Sequence, residues 1–191
     1  MSEQLVIEHC SPTLAGIKTG NMFSVKIDQD TDIIQEVREL NKVLRKKGLR
    51  VIPLKRTASY ALIYVYRPGY LRRDLSNPKA ACILAKKGYD CSKAECCIAQ
   101  LVRHLASDEG FPHEIGLFLG YPPDDVEGFM NDPCKGVQCS GCWKAYSNGE
   151  EARKTFMKYK RCTEAYRRQN RRGKPLEQLV VVTASGASQS I

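Results

Sequence analysis

The chain has 191 residues, 42% of them hydrophobic and 27% charged, a balance that excludes wholesale disorder and allows one well-filled core. Its formal charge of +9 points to nucleic acid, phosphorylated ligands or an acidic protein as partners. No apolar run is long enough to cross a bilayer, no secretory leader pattern opens the chain, and nine cysteines suit a reducing compartment, so a cytoplasmic protein with no membrane partner is expected.

In chain order, Leu5, Val6 and Ile7 read as a short helix or strand that stops before Ser11 and Pro12. Ser11 followed by proline has the form of an N-cap, which predicts a brief helix through Ala15. Gly16 and Gly20 release the chain into a strand over 22–27, where Phe23, Val25 and Ile27 alternate with Ser24 and Lys26. Over 31–47, Ile33, Val37, Leu40 and Leu44 recur at helical spacing, and Gly48 closes the helix. Residues 49–55 and 60–67 are β-rich and form a hairpin or neighbouring strands; Ala61, Ile63 and Val65 face one way, and Tyr60, Leu62, Tyr64 and Tyr66 the other.

Asn77 and Pro78 open a helix that ends near Gly88. Ser92 and Glu95 form a capping box for the next, which runs to about Ser107 with Ala94, Cys97, Ile98, Leu101 and Leu105 as its buried stripe. Residues 112–119 are apolar up to Gly120, and Pro122, Pro123, Asp124 and Asp125 start a further short helix. A loop over 131–140 leads to a short strand over 143–146, and Asn148 with Glu151 caps a long last helix. Ala152, Phe156, Tyr159, Thr163 and Tyr166 form its core stripe, with Lys154, Lys158, Arg161 and Arg168 opposite. Gly173 and Pro175 end it, 179–182 adds a strand, and 184–191 is a flexible tail. The expected fold is α+β: one domain over 1–183, with a small, mainly antiparallel sheet from 22–27, 49–55 and 60–67 covered by several helices.

Four constellations carry candidate chemistry. In the first, His9 and Cys10 precede Thr13, Lys18 and Asn21; an imidazole beside a thiol near a helix start can bind a ligand or metal, or activate Cys10 as a nucleophile with His9 or His113 as its base. The alternative is that Cys10 is a small buried residue and His9 its hydrogen-bonded neighbour. In the second, His113 and Glu114 lie in a run of glycines and prolines that demands a specific backbone path, and they act as acid and base, bind a ligand, or cap a packing turn. The third is the thiol set Cys134, Cys139, Cys142 and Cys162, able to enclose zinc or an iron–sulfur cluster, or else scattered reduced thiols. The fourth is the basic last helix with Tyr146, Tyr159 and Tyr166, beside a stacking platform of Tyr60, Tyr64 and Tyr66. It suits nucleic acid or an acidic partner, unless it is a solvated charged face. No nucleotide-binding glycine loop, zinc-protease helix or nucleophile elbow is present.

Residues 9–21 with His9, Cys10, Pro12 and Asn21, the strand end Tyr64, Val65, Tyr66 and Arg67, residues 111–126, and Trp143, Lys144, Ala145 and Tyr146 together resemble the bacterial family catalogued as domain of unknown function 3793. The resemblance spans nearly the whole chain and implies one domain and a link to iron or redox metabolism, with no assigned reaction. The functional expectation is a cytosolic ligand- or metal-binding protein with His9, Cys10, His113 and Glu114 in one pocket. The alternatives are an adaptor or nucleic-acid binder using the basic helix, and a thiol-dependent enzyme.

Overall fold

The structure is a computed structural model that describes residues 2–28, 31–107 and 110–183. It is α+β, and the chain groups into two compact units, one of Met1–Tyr70 with Cys162–Ile191 and one of Leu71–Arg161.

In the first unit, α1 (Glu3–Leu14) leads into β1 (Gly20–Lys26), then α2 (Ile33–Leu44) with a 3-10 turn at Arg45–Lys47, β2 (Arg50–Arg56) and β3 (Tyr60–Tyr66). The sheet order is β1-β3-β2, antiparallel throughout. β3 is central, paired on both edges, and both its faces are buried: Ala61, Ile63 and Val65 on one, Tyr64 and Tyr66 on the other. Pro53, which cannot donate to a ladder, sits on the edge strand beside a register shift that makes room for Leu54. Asn41 of α2 covers that edge. Its Nδ2 donates to the Val51 carbonyl at 2.7 Å and its Oδ1 accepts from the Val51 N–H at 3.0 Å. Gly20 opens β1 because a Cβ there would lie 2.5 Å from the Tyr64 ring.

α1 departs from expectation, being one helix that runs through Pro12. Ser2 is its N-cap, and Ser11 lies mid-helix with its hydroxyl donating to the Ile7 carbonyl. Proline in a helix interior costs about 3 kcal/mol. The stripe Val6, Ile7, Cys10 and Leu14, all essentially inaccessible, straddles the proline and offsets that cost at about 1.5–3 kcal/mol for each large apolar side chain. The expected strand over 179–182 is also replaced. After Pro175 a short helix (Leu176–Leu179) packs Leu176 and Leu179 into this core, and the Val181 N–H then donates to the Leu14 carbonyl at 3.0 Å rather than joining the sheet. The tail 184–191 lies outside the described residues.

α3 (Pro68–Leu75), absent from the sequence reading, begins on a proline at its first position and crosses from the first unit into the second. The second unit continues with α4 (Pro78–Lys86), α5 (Ala94–Ala106), α6 (Ile115–Phe118), α7 (Pro123–Asn131), the two-residue strands β4 (Cys139–Ser140) and β5 (Lys144–Ala145), and the start of α8 (Gly149–Arg171). The helix Leu176–Leu179 is α9. The five residues expected to form the buried stripe of α5 are its buried residues. Its capping box does not form: Lys93 holds the N-cap position without a side-chain bond, and the Ser92 N–H donates to Asp90 Oδ1 at 2.9 Å. Among the described residues no helix is long and apolar enough to cross a membrane.

Candidate ligand site

The first constellation lies wholly in the first unit. On α1, neighbouring residues point about 100° apart, so Cys10 faces the core while His9 faces solvent, stacked on Phe23 at 5.2 Å with the rings 5° from parallel. Burial pushes the Cys10 thiol well above its ordinary range, and the nearby Lys18 offsets this only in part. Mid-helix, inaccessible and held as the neutral thiol, Cys10 has the setting of an inert packing residue, which corrects its reading as a nucleophile at a helix start. Thr13 Oγ1 donates to Asn21 Oδ1 at 2.7 Å, tying α1 to β1, and Lys18 is buried.

Arg67 organises this region. Its guanidinium is 1% exposed, with Nε donating to the Thr13 carbonyl at 2.7 Å and Nη2 to the Leu14 and Val181 carbonyls, each at 2.8 Å. Nη1 reaches Thr183 Oγ1 at 3.1 Å. A cation is thus set against the C-terminal carbonyls of α1, the negative end of the helix. Burial lowers its pKa, opposed by the Tyr70 and Tyr166 phenols.

In the second unit the stretch around His113 is folded by Asp125, on the first turn of α7 and 3% exposed. Its Oδ1 accepts from the Tyr146 N–H at 2.8 Å, the Ser147 N–H at 2.9 Å and Ser147 Oγ at 2.8 Å. Its Oδ2 accepts from Trp143 Nε1 at 2.8 Å. Burial alone would raise this carboxyl; the hydrogen bonds from Tyr146, Ser147 and Trp143 outweigh it and hold the group below the usual carboxylate range. One carboxylate therefore pins residues 143–147 onto α7. The contact is tight at Gly128, where a Cβ would lie 2.6 Å from the Tyr146 ring. Trp143 is held on two further sides, stacked on Tyr121 at 4.8 Å and edge-on to Phe156 at 4.6 Å, while the Tyr121 hydroxyl donates to the Cys142 carbonyl at 3.0 Å.

This packing leaves a cavity of about 180 Å³ lined by His113, Ile115, Gly116, Tyr121, Asp125, Val126, Phe129, Trp143 and Lys144. His113 meets Phe129 edge-on at 5.0 Å, and Lys144 Nζ lies 5.8 Å from the Phe129 centroid while donating to the Pro133 carbonyl at 2.9 Å. The Asp125 charge is used up by its donors, so what the cavity offers is aromatic surface with an ammonium and an imidazole at its margin. A cavity of roughly 150 Å³ accepts benzene, so this one matches a single-ring ligand.

A second cavity, of about 410 Å³, is lined by Lys87, His104, Ser107, Gly110, Phe111, Pro112, His113, Glu114 and Met130. Glu114, 3% exposed, accepts on Oε1 from the Tyr89 hydroxyl at 2.9 Å, and His104 Nδ1 lies 3.3 Å from the same oxygen.

The chain belongs to the family described as Protein of unknown function (DUF3793). The family's model matches residues 6–180 and so runs across both units. No curated protein and no solved structure matches the chain.

Within this family member, the residues expected to share one pocket fall in two units: His9, Cys10, Thr13, Lys18 and Asn21 in the first, His113 and Glu114 in the second. The sequence reading missed Tyr89, His104 and Phe129. Phe129 had a usable signal, four residues after Asp125 on the same helix. Among the described residues, no three His, Cys, Asp or Glu side chains are grouped to hold a metal ion. Cys139 instead donates to the Gly149 carbonyl at 3.3 Å, and Cys162 belongs to the other unit from Cys134, Cys139 and Cys142. The aromatic platform is corrected. Tyr64 and Tyr66 are 0% and 7% exposed and stack on each other, leaving Tyr60 as the accessible ring of the three.

Proposed function

We propose that this protein binds a small planar aromatic molecule in the cavity between α6, α7 and β5, with His113 and Lys144 favouring an anionic substituent. The observation that carries this reading is the stacked pair Tyr121 and Trp143, with Trp143 held by Asp125, lining together with Phe129 a space of single-ring size. A preformed apolar pocket with a few placed polar groups is the usual form of a small-molecule site.

Trp143 is the sole tryptophan, so its fluorescence reports on this cavity. Titration with benzoate is expected to give a saturable change in Trp143 emission, with benzyl alcohol binding more weakly. Phe129→Ala is expected to weaken benzoate at least about tenfold, the order of an aromatic contact plus lost burial. A response that stays linear with concentration, or that is equal in the Phe129→Ala protein, rejects the reading.

A second reading rests on charge. Residues 149–174 hold ten Lys and Arg against three Glu, which is seven of the chain's nine excess positive charges. Arg153, Lys154, Lys158, Arg161 and Arg168 are exposed on α8, whose Phe156, Tyr159 and Tyr166 are half-buried. A single-stranded polyanion is the partner such a stripe fits. If four phosphates are contacted, affinity for a labelled 20-nucleotide RNA should fall about 50-fold between 50 and 200 mM salt. Binding that ignores salt, or survives Lys158→Glu with Arg161→Glu, rejects this use of the helix.

A further inference from the structure

The second cavity of this unit contains a buried carboxylate whose contacts fall on one side. Both hydrogen-bond contacts to Glu114, from Tyr89 and His104, fall on Oε1, and Glu114 lines this cavity. The side chain is 95% buried, and among the described residues it is the one carboxylate that lines this space.

The surrounding groups also present acceptors. His104 Nδ1 lies 3.3 Å from Oε1, and in the tautomer that donates from Nδ1 the other ring nitrogen is an acceptor. Its side chain is 34% exposed and lines the cavity. The Ser107 hydroxyl donates to the His104 carbonyl at 2.9 Å, which leaves its oxygen lone pairs for a ligand. Burial and the Glu114 charge hold the Tyr89 phenol protonated, so it serves as a fixed donor to Oε1. The space is also lined by the rings of Phe111 and His113, 5.8 Å apart, flat surfaces suited to a planar group.

We infer that this cavity is a binding site for a planar nitrogen donor of the amidinium or guanidinium class, held by Glu114 Oε2 with His104 and Ser107 as auxiliary acceptors. It is a different site from the Trp143 cavity and prefers ligands of opposite charge. Lys87, the one ammonium on its margin, opposes the preferred charge and limits affinity.

The test is a calorimetric titration of the full chain with benzamidine, with Trp143 emission recorded alongside. Benzamidine is expected to bind saturably without reproducing the emission change given by benzoate. Glu114→Gln, which replaces one acceptor oxygen by an N–H donor at constant shape, is expected to weaken benzamidine at least tenfold while leaving the benzoate response intact. Lys87→Gln, an exposed change outside the core, is expected to tighten benzamidine about threefold at low salt, which keeps the test decisive should the Glu114 variant fold poorly. The inference is overturned if benzamidine shows no saturable heat, if it displaces benzoate, or if neither substitution changes its affinity. Loss of benzoate binding alone removes the Trp143 reading and leaves this one standing.

Discussion

Arg67 in the first unit and Glu114 in the second are both buried, charged and surrounded by residues that drew attention in the sequence, yet they are satisfied differently. Arg67 uses all three nitrogens on Thr13, Leu14, Val181 and Thr183, so the run from His9 to Asn21 is absorbed into holding the end of α1. Glu114 takes both of its contacts on one oxygen and lines a cavity. A buried polar group that is fully partnered explains architecture; one that is partnered on one side and lines a cavity points to a ligand. The difference also separates two kinds of unusual motif, the kind that builds the fold and the kind that the fold exposes.

The sharpest way to break this comparison is to remove the satisfied group. Arg67→Ala removes the bonds to the Thr13, Leu14 and Val181 carbonyls and is expected to cost about 4 kcal/mol, with Arg67→Lys recovering roughly half because an ammonium cannot reproduce the fork. Urea unfolding followed by circular dichroism, with amide exchange in α1, measures both. If Arg67→Ala is as stable as the wild type, Arg67 is not the clamp described and must itself be examined as a ligand contact.

Asp125 is the satisfied carboxylate that stands beside Glu114 as its internal control. Asp125→Ala leaves the Trp143, Tyr146 and Ser147 donors without their acceptor and is expected to cost about 3 kcal/mol, read from Trp143 emission in urea. Because the folded carboxyl lies below its ordinary value of 3.8, the unfolded chain takes up the proton first as pH falls. Its contribution is therefore complete above about pH 4 and is lost as pH drops through the folded value. Asp125→Asn should lack that acid-side loss. Parallel stability–pH curves for the two proteins would show that the hydrogen bonds do not hold the charge.

Much of the architecture was legible because it follows local periodicity. The stripe Ala94, Cys97, Ile98, Leu101 and Leu105 is visible at helical spacing, and alternation over β1 and β3 fixed the sheet. What was hidden depends on distant partners. Pro12 looked like a helix start because local propensity favours that, and only the core packed on Val6, Ile7, Cys10 and Leu14 carries the helix through it. Val181 looked like a strand residue, but its backbone is taken by Leu14 and Arg67. At the site, His113, Glu114 and Trp143 stood out by composition, whereas His104 and Tyr89 join Glu114 through packing between segments 10 and 25 residues away, which no local pattern encodes.

A smaller effect sharpens the account of the Trp143 cavity. Gly128→Ala would set a Cβ 2.6 Å from the Tyr146 ring, and relief requires moving the backbone that Asp125 holds. Overpacking of this kind costs about 2 kcal/mol. The same substitution should weaken benzoate more than benzamidine, since Trp143 and Lys144 border the first cavity and not the second. Equal weakening of both ligands would mean that the two cavities respond as one.

The smallest expected effect falls on the most conspicuous residue of the sequence. His9 is exposed and stacks on Phe23, and its neighbour Cys10 points the other way into the core. His9→Ala should therefore cost only about 0.5 kcal/mol, the low end of an aromatic contact, and leave benzoate and benzamidine binding unchanged. If it instead abolished binding of either ligand, the division between a fold-building motif and a ligand-facing one would fail at its clearest point, because an exposed ring with one stacking contact has no structural route to such a loss.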